Sequence, residues 1–156
     1  MVSDKKELRG ILLGKGIKPT YQRMAILESV SADSSHPTIK ALHERLVRTI
    51  PTLSKTTLYS TLELFARKGL VKPLLIDPAE ARFDGVLTPH HHFCCASCGR
   101  ILDLDLSCPN SRRGVLHGHR IDEVHGYFKG VCADCLSAPF PRHRPNHDRK
   151  RSLIHV

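Results

Sequence analysis

Two Cys-x-x-Cys pairs, Cys95-Ala-Ser-Cys98 and Cys132-Ala-Asp-Cys135, constrain this chain more than any other feature. Four thiolates at that spacing can close one tetrahedral zinc site, because each short loop aims two sulfurs at one point. The pairs stand 33 residues apart, longer than in a minimal zinc ribbon. The spacing therefore predicts a metal that staples a small domain rather than a finger. His90-His91-His92 ends three residues before Cys95, and Asp103 and Asp105 follow Cys98 closely. A closed thiolate site beside imidazoles and carboxylates predicts two metals with different jobs, one structural and one exchangeable.

At 156 residues, 40% of them hydrophobic and none of them Trp, the chain has room for one domain or two small ones. Two small cores would need help from metal or dimerisation. No secretory signal is read before residue 30, and Ile11-Leu12-Leu13 is too short for a signal core or a membrane span. The expected location is the cytoplasm, where paired cysteines bind metal more often than they form disulfides. Cys94 and Cys108, outside the pairs, read as small buried or loop residues.

Charge is uneven. Residues 1–85 carry 14 Lys/Arg against 9 Asp/Glu, residues 86–136 carry 5 of each, and residues 137–156 carry 5 against 1. A basic first half beside a neutral metal half predicts nucleic-acid binding in the first half.

That first half reads as helices followed by a hairpin. Residues 4–14 form a short helix. Thr20 caps a second, to about Val30. Ile39, Leu42, Leu46 and Ile50 share one face of a third, over about 38–49. Ser54 caps a fourth, with Leu58, Leu62 and Phe65 on one face and Gly69 at its end. Residues 70–76 and 81–84 flank Asp77-Pro78 as a hairpin. A winged helix fits this order, with the fourth helix in the major groove and Lys55, Tyr59 and Ser60 facing DNA. A plain helical domain with a solvated polar face fits the pattern alone equally well.

The second half is different. Thr88-Pro89 reads as a hinge. Strands are expected at 91–95, 100–105 and 126–131, and a helix at Arg112 to His117. From Ser137 the chain is rich in Pro, Arg and His, and a disordered tail is expected.

These segments in this order resemble the ferric uptake regulator (Fur) family of bacterial metal-dependent repressors over residues 5–136. The likeness is carried by Gly16-Ile-Lys-Pro-Thr-Tyr-Gln-Arg23, Ser35-His36-Pro37-Thr38, Ser54-Lys-Thr-Thr-Leu-Tyr59, Gly69-Leu-Val71, Arg82-Phe83-Asp84, His90-x-His92 and the two Cys pairs. The resemblance implies an α+β fold. Residues 1–86 would be a winged helix-turn-helix DNA-binding domain. Residues 87–136 would be a small α/β dimerisation domain with structural zinc on Cys95, Cys98, Cys132 and Cys135. Residues 137–156 would be a basic tail.

The family's regulatory site maps onto His36, Asp84, His90, His92 and Asp103, a set suited to Fe(II) or Mn(II) and also to zinc. In an extended segment His90 and His92 face one way and His91 the other. Asp at both acidic positions resembles the peroxide-sensing branch, in which Fe(II) catalyses oxidation of a ligand histidine, here His36 or His90. The alternative is an iron- or zinc-responsive repressor without peroxide sensing. The DNA-contacting set implied is Lys15, Lys18, Arg23, Ser54, Lys55, Tyr59 and Ser60, and the partners are a double-stranded operator and a second copy of the chain, with no membrane. Val124 stands where family members often place a second-site His, with Glu123 and His125 beside it.

An enzyme is not expected. A thiol oxidoreductase would need a thioredoxin-like strand–helix setting for its Cys pair. A zinc deaminase would need His-x-Glu and Pro-Cys-x-x-Cys, which do not occur. Four thiolates leave no position for a catalytic water.

Overall fold

The structure is a computed structural model that describes residues 4–76, 80–88, 90–106, 114–120 and 126–137. The Asp77-Pro78 turn, Pro89 of the hinge, Cys108, the Glu123–His125 stretch and the tail beyond Ser137 lie outside the described residues. The chain divides into two compact units between His90 and His91.

The first unit holds four helices, α1 (Lys5–Gly14), α2 (Tyr21–Ser31), α3 (Ile39–Leu46) and α4 (Lys55–Arg67). Each begins where a side-chain oxygen replaces a missing helical acceptor. Asp4 accepts from the Lys6 N–H at 2.9 Å, Thr20 from Arg23 at 3.3 Å, Thr38 from Ala41 at 3.2 Å and Ser54 from Thr57 at 3.0 Å. Gly16 (φ 70°) and Gly69 (φ 65°) end α1 and α4 in the left-handed region. There the Ile17 and Leu70 N–H groups reach back to Leu12 and Phe65 at 2.8 and 2.9 Å, which closes both helix ends. α3 stops at Leu46, short of the expected 49. Thr49 turns its hydroxyl and its N–H onto the Leu46 carbonyl and tightens the last turn.

The apolar stripes of these helices meet in one core running from Leu8 and Leu12 through Leu42 and Leu58 to Phe65 and Val71. Strands β1 (Lys72–Leu74) and β2 (Arg82–Asp84) then pair antiparallel as a wing, Lys72 opposite Asp84. A further bridge joins Thr38 to Arg82, and the Phe83 N–H donates to the Pro37 carbonyl at 3.1 Å. The segment entering α3 is thereby tied to β2.

The second unit is built on a three-stranded sheet in the order β4-β3-β7. β3 (His91–Cys95) pairs antiparallel with β4 (Ile101–Leu104) and parallel with β7 (Tyr127–Gly130). Two short strands, β5 (Val115–Leu116) and β6 (His119–Arg120), form a separate hairpin. This corrects the helix expected up to His117. His117 (φ 50°) and Gly118 (φ 82°) both take positive φ, the geometry of a tight two-residue hairpin turn. A closing helix, α5 (Ala133–Ser137), contains the second Cys pair's loop and was not expected. No helix among the described residues is long and apolar enough to cross a membrane.

Candidate metal centres and nucleic-acid face

The parallel pairing of β3 with β7 explains the long gap between the Cys pairs. Cys95 ends β3 directly opposite Gly130, the last residue of β7. Parallel strands finish at the same edge, so both cysteine loops leave the sheet side by side. One ligand atom from each of Cys95, Cys98, Cys132 and Cys135 lies within 4.8 Å of the others. Cys95 and Cys132 are buried and Cys98 is exposed.

The site is prepared for a cation. The Cys98 and Cys132 N–H groups point at the Cys95 sulfur at 3.5 and 3.3 Å. Burial works against ionising Cys95, yet the backbone donors of Cys132, Cys98 and Ser97 outweigh it and bring the thiol down to about 6. Cys135 goes the other way. Ser97 favours its thiolate, but the sulfurs of Cys132, Cys98 and Cys95, together with burial, push it up to about 12. Crowded sulfurs cannot all carry charge without a cation between them. A divalent ion with a taste for thiolate resolves that conflict, and the four-sulfur donor set fits structural zinc.

Each unit carries imidazole and carboxylate candidates. In the first unit His36 and Asp84 are 1% exposed. Asp84 Oδ2 lies 3.3 Å from His90 Nε2, and Asp84 Oδ1 lies 4.0 Å from His36 Nε2. Asp84 Oδ1 also accepts the Val86 N–H at 2.7 Å, which orients the carboxylate. His90 Nδ1 sits 2.8 Å from the Thr88 carbonyl. A carbonyl only accepts, so that bond puts the proton on Nδ1 and turns the Nε2 lone pair toward Asp84. Two acceptors facing each other at that distance suit a metal ion held by both.

His36 itself has φ 54°, and its carbonyl accepts from Arg82 at 3.4 Å. In the second unit His92 faces Asp103 across the β3–β4 pair, in register, with Nε2 and Oδ1 3.8 Å apart. His91 points elsewhere, edge-on to Phe128 at 5.9 Å.

The basic candidates lie on two segments of the first unit. Lys15, Lys18 and Arg23 sit around the α1–α2 connection, where Arg23 also donates to the Lys18 carbonyl at 3.0 Å. Ser54, Lys55, Tyr59 and Ser60 lie at the start of α4. Tyr59 is 57% exposed despite its size, and Lys55 and Ser60 are also exposed. Lys55 and Tyr59 line a cleft of about 130 Å³ together with Lys40 and Glu80. Sequence reading missed Lys40. Its signal was a positive charge in the first turn of the helix preceding α4.

The family model described as the ferric uptake regulator family matches residues 14–122. The peroxide operon regulator of Bacillus subtilis strain 168 is 33% identical over 133 residues, covering 83% of this chain and 92% of that protein. Among solved structures, the ferric uptake regulator Fur of Helicobacter pylori superposes with a TM-score of 0.67 at 16% identity, over 86% of this chain and 93% of that one. The Campylobacter jejuni peroxide stress regulator gives 0.63 at 21% identity, over 86% and 100%. At these identities the structural likeness speaks for the fold alone.

Proposed function

The chain belongs to the ferric uptake regulator family, and from that membership we propose that it is a metal-dependent, DNA-binding repressor that responds to peroxide. A relative at 33% identity is named a peroxide operon regulator. The observation that carries the reading is the His36–Asp84–His90 group, with His36 and Asp84 buried and His90 half-buried.

In this reading residues 1–86 bind operator DNA and residues 87–136 form a homodimer in the cytoplasm. Lys15, Lys18 and Arg23 contact phosphates, and Lys55, Tyr59 and Ser60 enter the major groove from α4. His36, Asp84, His90, His92 and Asp103 hold one Fe(II) or Mn(II). A metal so held favours one arrangement by its differential affinity, so metal tightens DNA binding and DNA tightens metal binding equally. Bound Fe(II) supplies the reducing chemistry toward peroxide. Asp84 and Asp103 would balance the metal's two positive charges, Thr88 orients the His90 ring, and an oxygen atom added to His36 or His90 would remove a ligand.

Mass spectrometry of Fe(II)-loaded and Mn(II)-loaded protein after brief peroxide exposure, beside an operator-binding assay, tests this. One added oxygen on His36 or His90 is expected with iron and not with manganese, together with loss of operator binding. An iron form that stays unmodified and bound to DNA would overturn the peroxide reading and leave an iron- or zinc-responsive repressor.

A further inference from the structure

We propose that Arg100 is a latch across the two cysteine loops, and that its ion pair with Asp134 sets how slowly the four-thiolate site surrenders zinc. The proposal rests on the reading that Cys95, Cys98, Cys132 and Cys135 hold that metal. Arg100 stands two residues after the first pair, and its carbonyl accepts the Cys95 N–H at 2.9 Å. Asp134 stands inside the second pair. The Arg100 guanidinium donates to Asp134 Oδ2 at 2.7 Å, across 34 positions of sequence. One side chain thus spans the two loops without passing through the metal.

A divalent ion on four thiolates leaves the cluster a dianion. A guanidinium two positions from Cys98 offsets part of that negative charge. Zinc departs one ligand at a time, and the arm that opens first is the one water reaches. Cys98 is the exposed member of the first pair, whereas Cys95 and Cys132 are buried. Arg100 follows Cys98 by two residues on the same loop, and Asp134 ties its guanidinium to the opposite loop. Arg100 is 49% exposed and Asp134 69%, so solvent screens the pair and its effect is moderate.

The test uses the full chain, zinc-loaded, with excess chromogenic chelator and release followed in time. Zinc content of the wild type comes first. A zinc-free, folded wild type would overturn the four-cysteine reading itself. With zinc present, Arg100→Gln is expected to release it about 1.4- to 5-fold faster, the range open to an exposed charge pair. Asp134→Asn should have the same effect, and the double variant should match either single, because each change removes one shared interaction.

Arg100→Lys keeps the charge and should recover part of the delay. Raising the salt concentration should speed release from the wild type and leave Arg100→Gln nearly unchanged. Alkylation of Cys98 by iodoacetamide should rise in Arg100→Gln in parallel. A wild-type release rate in Arg100→Gln, or single effects that simply add, would overturn the latch. Should Arg100→Gln fail to fold, Asp134→Asn and the salt response of the wild type decide alone.

Discussion

His36 occupies the left-handed backbone region at φ 54°. A residue with a Cβ reaches that region at a cost of roughly 1–2 kcal/mol. Such strain persists where surrounding contacts over-determine it. Here the Thr38–Arg82 bridge, the Phe83-to-Pro37 bond and burial of the ring do so. Asn tolerates this conformation better than Ala does. His36→Asn should therefore unfold at a higher temperature than His36→Ala, while both lose Mn(II) binding in a titration. Equal metal affinity in His36→Asn and wild type would remove His36 from the site.

Gly85 is constrained by space. A Cβ there would lie 2.7 Å from Ser31 Cα and 2.8 Å from the Val30 carbonyl oxygen, both backbone atoms. Gly85→Ala should cost about 1–3 kcal/mol, the range for overpacking, and should weaken metal binding through the neighbouring Asp84. Thermal unfolding and the same titration check both effects. The identities of these ligand candidates were legible in the sequence. The backbone twist at His36 was not, because it is imposed by β2, 46 positions further on.

Among the elements, the four helices of the first unit could be read because each carries its own start signal and a periodic apolar face. Those signals are local. The β5–β6 hairpin was misread because its turn uses His117 in a conformation usually marked by Gly or Asn. The short α5 was missed because five residues carry no periodicity. The Arg100–Asp134 pair was missed because two common exposed residues announce nothing until the sheet brings their loops together. At α4 the sequence named Ser54 twice, as a cap and as a DNA contact, and the structure shows it capping. The roles separate by substitution. Ser54→Ala should destabilise the chain by about 1 kcal/mol and Ser54→Gly by only a few tenths. Normal operator affinity in Ser54→Gly would leave capping as its whole task, whereas a loss would show a contact through the hydroxyl.

At the scale of the whole molecule the two units rely on different forces. The first buries a continuous apolar cluster. The buried apolar residues described in the second are Ile101, Cys95 and Cys132, so its stability depends on its metal. Removing zinc with a chelator, or by Cys95→Ser, should melt the second unit and leave the helical signal of the first in place. Calorimetry should then show one surviving transition, and loss of both together would contradict the division. Acid should act in the same direction. With the Cys95 thiol brought down to about 6, that sulfur is already ionised above this pH and needs to lose no proton to bind zinc. Below it, protons compete, so zinc affinity should fall more steeply with acidification.

The parallel β3–β7 pairing also bears on how the protein is made. During synthesis the first Cys pair emerges long before β7 and the second pair exist. Until then its two thiols have no partner strand and half a coordination shell. Closing so long a loop is slow compared with a local hairpin. A nascent chain therefore passes through an interval in which Cys95 and Cys98 are open to oxidants and to competing metals, and the finished site ends that interval once Cys135 leaves the ribosome.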